Sequence, residues 1–294
     1  MTVMLHFPDE LAPARSLAEA LHLDLQTIEQ HRFPDGESRL TLPPSLPESL
    51  VLYRSLDHPD SKLVELLLAT RGARELGTKQ IILVSPYLCY MRQDKAFHPG
   101  ELVSQKIIGR FLAELVDAVI TVDAHLHRIS RLDEAIPLQQ AINTTATAPL
   151  GEFLQQQVSA ETLLLGPDQE SRQWVEQVAR LGQFPYAVAS KTRYGDREVS
   201  IELPKENYQQ RHVVLVDDVI SSGHTLAETA KRLIQAGAIQ VDALCTHALY
   251  DEEAAGLLKQ AGIKNVWSSD SIAHPSNTVS LAPLLAESVR QILN

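Results

Sequence analysis

The chain has 294 residues, 44% apolar and 21% charged, a balance found in folded domains in water and a length sufficient for two cores. Its formal net charge of −11 argues against general nucleic-acid binding, which draws most of its affinity from basic patches. No apolar run approaches a membrane span, the segment from Met1 to Glu10 is too short and acidic for a signal peptide, and Cys89 and Cys245 form neither a metal-ligand spacing nor a disulfide framework. A reducing, cytoplasmic location without membrane contact is expected.

In chain order, the pattern predicts a strand over 2–7, a helix over 10–21, a strand over 24–32 and the turn Phe33-Pro34-Asp35-Gly36-Glu37. Strands at 38–42 and 50–55, a helix at 60–76, a strand at 81–84, a helix at 102–115 and a strand at 119–123 follow. Gly72 to Lys79 reads Gly-x-x-x-x-Gly-Thr-Lys, a near miss for a P-loop. Gly77 here closes a helix and a strand follows, the reverse of the P-loop order, so Gly77 is read as a helix C-cap. The polar, Thr-rich stretch 143–149 is taken as the domain boundary.

Beyond it the alternation starts again, with a helix over 150–158, a strand over 162–165, a helix over 170–181, a strand over 186–191 and a strand pair over 198–203. The strand and helix of 213–236, a strand over 241–246, a helix over 252–261, a strand over 265–268 and a last helix over 282–293 complete the chain. This alternation predicts α/β domains with mostly parallel sheets flanked by helices. Val119-Ile120-Thr121-Val122-Asp123 echoes Val213-Val214-Leu215-Val216-Asp217, which hints at a duplicated domain.

The most informative stretch is Val213 to Thr225: an apolar run, the acidic pair Asp217-Asp218, the loop Ser221-Ser222-Gly223, then His224 and Thr225 opening a helix. In open α/β sheets ligands gather outside the carboxyl ends of strands. Gly223 lets the backbone approach a ligand, and the amides and hydroxyls of Ser221 to Thr225 suit an anion at the positive end of a helix. Two carboxylates beside such a cradle suit a sugar phosphate. A plainer reading makes Thr225 and Glu228 a capping box for an ordinary helix.

Five other clusters carry chemistry. Phe33 to Glu37 has the composition of a turn. Pro86-Tyr87-Leu88-Cys89-Tyr90-Met91-Arg92-Gln93-Asp94-Lys95 follows a strand and offers the planar fork of Arg92 to phosphate oxygens. Val122-Asp123-Ala124-His125-Leu126-His127 puts two histidines on one side if the chain stays extended, without a convincing third ligand for zinc. Asp168 follows a strand as a plausible helix N-cap, and Lys191-Thr192-Arg193 puts two cations on one face of a strand.

The stretch Val213 to Thr225 resembles the phosphoribosyl-pyrophosphate (PRPP) loop of type I phosphoribosyltransferases and PRPP synthetases, the ribose-phosphate diphosphokinases. The remaining clusters, in order, resemble the second group, in its short archaeal-like form. The resemblance implies two tandem phosphoribosyltransferase-like domains: residues 1–145 on the ATP side and residues 146–280 with the PRPP loop, followed by a terminal helix over 281–294 packing back on the first domain. It implies transfer of the β,γ-diphosphoryl group of Mg-ATP to the C1 hydroxyl of ribose 5-phosphate, giving PRPP and AMP.

By the same resemblance Phe33, Asp35 and Glu37 reach the adenine of ATP on a neighbouring subunit, which makes the protein a homo-oligomer. Arg92, Gln93, Asp94 and His125 take Mg-ATP, with His125 and Asp168 on the magnesium side. Lys191 and Arg193 stabilise the transition state at the root of a segment over 194–206. Asp217, Asp218, Ser221, Ser222, Gly223, His224 and Thr225 bind ribose 5-phosphate. Two alternatives stand beside this one: a nucleobase phosphoribosyltransferase that consumes PRPP, which leaves the Phe33 and Arg92 clusters idle, and a catalytically silent regulatory homologue.

Overall fold

The computed structural model of the protein describes residues 2–126, 128–193 and 199–293, the side chains of 191–193 and 199–200 excepted. The chain divides into two compact units, Met1–Thr145 with Ser271–Ala273 and Leu281–Asn294, and Ala146–Asp270 with His274–Ser280.

In the first unit β1 (Thr2–His6) leads through α1 (Leu11–Leu21) to β2 (Asp24–Thr27), and β3 (Glu29–Arg32) and β4 (Ser38–Thr41) form a hairpin. Then come β5 (Ser49–Tyr53), α2 (Pro59–Glu75), β6 (Gln80–Val84), α3 (Ser104–Leu115), β7 (Ala118–Val122) and β8 (Gln140–Thr144). The main sheet runs β2-β1-β5-β6-β7-β8, and each pairing in it is parallel. Its central strands are continuous apolar runs because both faces are covered; Ile81, Ile82, Leu83 and Val84 are all fully buried.

Two expectations shift in this unit. The strand expected over 24–32 breaks at Ile28, whose side chain is buried and whose amide donates to the His6 carbonyl at 2.9 Å, and the chain leaves the main sheet there for the hairpin. The polar stretch expected to separate the domains begins inside β8. As an edge strand β8 is only half covered, so its Gln, Asn and Thr residues carry no strand signal in the sequence.

The second unit holds α4 (Thr147–Gln157), β9 (Leu163–Gly166), α5 (Arg172–Gly182), β10 (Tyr186–Val188), β11 (Ser190–Arg193) and β12 (Val199–Glu202). It continues with β13 (His212–Ile220), α6 (His224–Gln235), β14 (Gln240–Ala248), α7 (Glu252–Gln260), β15 (Ile263–Ser269) and β16 (Asn277–Val279). The strand expected over 186–191 is two: β10 joins the main sheet beside β9, whereas β11 pairs antiparallel with β12. The last helix, α8 (Ala282–Leu293), belongs to the first unit and packs on α1, where the Arg290 guanidinium donates to the Ala20 carbonyl at 2.5 Å.

The second main sheet runs β10-β9-β13-β14-β15-β16, again all parallel. Numbered in chain order within each sheet, both units read 2-1-3-4-5-6. The fold is therefore duplicated, but β13 corresponds to β5. The sequence echo had matched it to β7, since buried strands of similar composition are interchangeable to the eye.

Close approach of backbone decides one position. A Cβ on Gly109 of α3 would lie 1.9 Å from the Ala135 carbonyl oxygen, so this helix rests directly on the chain. Gly109→Ala should cost about 1–3 kcal/mol through overpacking and lower Tm by several degrees in a thermal melt; an unchanged Tm would remove that contact.

Candidate active site

Strand β13 lies between β9 and β14, and Val213 to Val216 are fully buried. The expected end of the strand at the acidic pair is corrected: pairing continues through Asp217 with Cys245, Val219 with His247 and Ile220 with Ala248. Burial of Ile220 draws the chain on past the acids. Ser221 and Ser222 are exposed, and Gly223 turns with φ of 72°, a left-handed conformation that favours glycine. A Cβ there would also press on the Leu258 side chain at 3.2 Å.

Helix α6 opens at His224, which is exposed, and its N-cap residue is Gly223, which has no side chain to cap it. The capping box is not formed: Glu228 accepts from Arg232 Nε at 2.9 Å instead. The positive end of α6 thus meets the loop at a glycine, an arrangement that suits an anion.

Asp217 Oδ1 accepts from the Asp218 amide at 3.0 Å, and Asp218 Oδ1 from the Val219 amide at 2.9 Å. Burial, and then the negative charges of Asp218 and Asp168, hold the Asp217 carboxyl well above the usual carboxylate range. Asp168 joins them because β9 is the neighbouring strand and its following loop leaves the same edge of the sheet. It is not the helix N-cap, a position held by Ser171. Asp168 Oδ1 instead accepts from the amides of Glu170 and Ser171 at 3.0 and 3.2 Å, closing the turn before α5. Gly166 leaves room for that turn, since a Cβ there would sit 2.5 Å from Ser171 Oγ.

The candidates of the first unit lie on three loops. Phe33 to Glu37 form the exposed tip of the β3–β4 hairpin, closed by the Phe33 amide on the Glu37 carbonyl at 2.8 Å and by Gly36 at φ of 93°. Phe33 meets the His31 ring edge-on, with centroids 4.8 Å apart. Arg92 and Gln93 are exposed on the segment after β6. Asp94 beside them is turned inward: one carboxylate oxygen accepts from Arg128 at 2.6 Å, and the other is buried without a partner among the described residues. Asp94 thereby ties the segment after β6 to the one after β7.

His125 is half-buried on that second segment. Asp123 has φ of 43°, so the chain is not extended there. His127 lies outside the described residues, as do residues 194–198 and the side chains of Lys191 and Arg193; the backbone of these two belongs to β11.

Sequence reasoning missed a buried polar centre beneath the hairpin. Glu65 of α2 and Arg54 after β5 are both buried and joined at 2.5 Å, and Arg54 also meets Asp9 at 2.7 Å and Glu10 at 3.2 Å. A signal was present, because Glu65 falls on the buried helical face with Leu66, Ala69 and Ala73.

Residues 142–281 match the phosphoribosyl transferase domain family, and residues 4–115 match the N-terminal domain of ribose phosphate pyrophosphokinase. A crystal structure of phosphoribosylpyrophosphate synthetase from Mycobacterium smegmatis has the same fold, with a TM-score of 0.83 over 99% of this chain and 98% of that one at 21% identity. The protein is thus an α/β enzyme of phosphoribosyltransferase fold. Ribose-phosphate pyrophosphokinase of Methanopyrus kandleri is 36% identical over 95% of both chains, and that of Methanosarcina acetivorans 33% identical over 95% of this chain and 96% of its own. The chain belongs to the ribose-phosphate pyrophosphokinase family.

The electrostatics of Asp217 yield a prediction. Its pKa in the folded protein is raised, so the ionised form costs stability that grows as pH rises above the unfolded value. Asp217→Asn should raise Tm at neutral pH by a few degrees, and the gain should disappear in acid, where the wild-type carboxyl is protonated in both states. A lower Tm at pH 7 would show that Asp217 is stabilised by its surroundings.

Proposed function

We propose that the enzyme transfers the β,γ-diphosphoryl group of Mg-ATP to the C1 hydroxyl of ribose 5-phosphate, releasing PRPP and AMP. The observation that carries this reading is the combination at β13 and α6: two carboxyls next to a glycine turn that opens directly into a helix N-terminus. Ser221, Ser222, Gly223, His224 and Thr225 would hold the 5-phosphate, and Asp217 and Asp218 the vicinal ring hydroxyls. The names of the relatives, ribose-phosphate pyrophosphokinases, agree with that substrate.

The hydroxyl oxygen attacks the β-phosphorus in line as the bond to the α,β-bridging oxygen breaks. AMP departs with that oxygen, and the hydroxyl proton passes to solvent. Such transfers depend on positioning and charge stabilisation, with no covalent nucleophile. Arg92 and Gln93, exposed on their segment, are assigned to the nucleotide phosphates, with Asp94 holding the segment in place. Lys191 and Arg193 on β11 are assigned to the charge that develops during transfer.

Magnesium brought with ATP would neutralise phosphate charge. Asp168 offers the oxygen donor this ion prefers, and His125 is the assigned residue of the first unit. The described residues contain no group of three or more His, Cys, Asp or Glu able to hold a metal, and magnesium commonly keeps most of its waters. The donor set therefore fits an ion delivered by its substrate.

Phe33, Asp35 and Glu37, exposed at the hairpin tip, are assigned to the adenine of ATP bound by another subunit, which makes the working enzyme an oligomer. No helix among the described residues is long and apolar enough to cross a membrane. Cys89 and Cys245, both buried and free, agree with a reducing cytoplasm.

With Mg-ATP and ribose 5-phosphate the enzyme should release AMP in step with PRPP; formation of ADP, or turnover only with PRPP and a nucleobase, would overturn the assignment. Phe33→Ala should raise KM for ATP about tenfold and Lys191→Ala should lower kcat at least about a hundredfold. Oligomers mixed from the two variants should regain activity at sites that draw an intact residue from each subunit, and no recovery on mixing would remove the shared site.

A further inference from the structure

The β3–β4 hairpin is a separate two-stranded sheet, hydrogen-bonded to neither main sheet among the described residues. A two-stranded ribbon is marginally stable by itself, so something must orient its tip. Leu40 and Leu42 pack on the first unit's core, which fixes the ribbon's base. On the same face as Leu40, nearer the tip, the ribbon is held by one residue.

Glu65 Oε1 accepts from Gln30 Nε2 at 2.5 Å, Arg32 at 2.9 Å and Ser38 Oγ at 3.3 Å. Gln30 and Arg32 lie in β3, Ser38 opens β4, and Arg32 pairs directly with Ser38, so the three donors flank the tip Phe33 to Glu37. The other carboxylate oxygen accepts from Arg54 at 2.5 Å. Arg54 in turn is clamped by Asp9 and Glu10 and lies over the Phe7 ring, 4.1 Å from its centroid. Both ends of the tether are thus defined, one in the buried frame and one in the ribbon.

We infer that Glu65 is a positioning residue for the nucleotide: it sets the angle at which the β3–β4 hairpin presents Phe33, Asp35 and Glu37. The inference rests on the assignment of that tip to ATP. A carboxylate suits the task because it accepts several charged or polar donors at once, and charge-assisted bonds are the stronger ones. Its burial keeps solvent from competing.

Removing Glu65 would also take the partner of Arg54 Nη2 from the interior, so the decisive variant is made on the ribbon side. Gln30→Ala with Arg32→Ala leaves the Arg54–Glu65 pair intact. Arg32 is 54% exposed, so its loss leaves no buried charge. Hydrogen–deuterium exchange of residues 29–41 should speed up in this double variant while exchange in β5 and β6 stays as in the wild type. KM for ATP should rise at least about fivefold, with kcat and KM for ribose 5-phosphate within about twofold. Arg32→Lys, which keeps a cationic donor, should restore most of the ATP affinity in the Gln30→Ala background.

Unchanged exchange in the hairpin, with Phe33→Ala still raising KM for ATP, would overturn the tether alone. Faster exchange with KM for ATP unchanged in both the double variant and Phe33→Ala would overturn the assignment of the tip to ATP, and the positioning role with it.

Discussion

Every pairing within the two main sheets is parallel, and that constraint decides where chemistry can sit. Parallel strands require crossovers, so successive strands all deliver their following loops to the same edge. The acids Asp168 and Asp217 meet for this reason although they lie 49 positions apart in the chain: β9 and β13 are neighbours. In the first unit β6 and β7 are neighbours in the same way, and the bond from Arg128 to Asp94 joins the loops that follow them.

Duplication of the fold makes the contrast between units instructive. The loop after β5 stands where the Ser221 to Gly223 loop stands after β13. In neither unit does the N-cap residue of the helix that follows make a side-chain capping bond, His58 before α2 or Gly223 before α6. In the first unit the Ser55 amide donates to Glu10 Oε1 at 2.6 Å, and Arg54 completes the contact. These bonds tie the loop after β5 into the buried frame of the first unit.

Both units hold buried acids at a cost. Burial pushes the Glu10 carboxyl up to about 8 against the pull of Arg54 and Lys62, and Asp217 is raised by burial beside two further acids. The two differ in use. Glu10 and Glu65 organise Arg54, a structural role in which buried charges are matched by hydrogen bonds. The acids at β13 are held close together although they repel, a strain that fits a site completed by its ligand and matches the usual conflict between stability and function.

Most regular elements of the fold were legible in the sequence, because continuous apolar strands such as 81–84 and 213–216 alternate with helical periodicity. The edge strands β8 and β16 were not, since a half-exposed strand needs no apolar run. The candidate loop of Asp217 to Thr225 was legible because its chemistry is local: acids, serines and a glycine in one short stretch. What depends on distance in the chain was invisible there. The inward turn of Asp94 onto Arg128, the Ser171 cap that frees Asp168 to close a turn, and the four donors gathered by Glu65 each join residues through packing. The sequence by itself determined the composition of each loop and the order of the strands along the chain. Only the tertiary structure decided which loops became neighbours and which acids were buried, because both follow from the parallel order of the sheets.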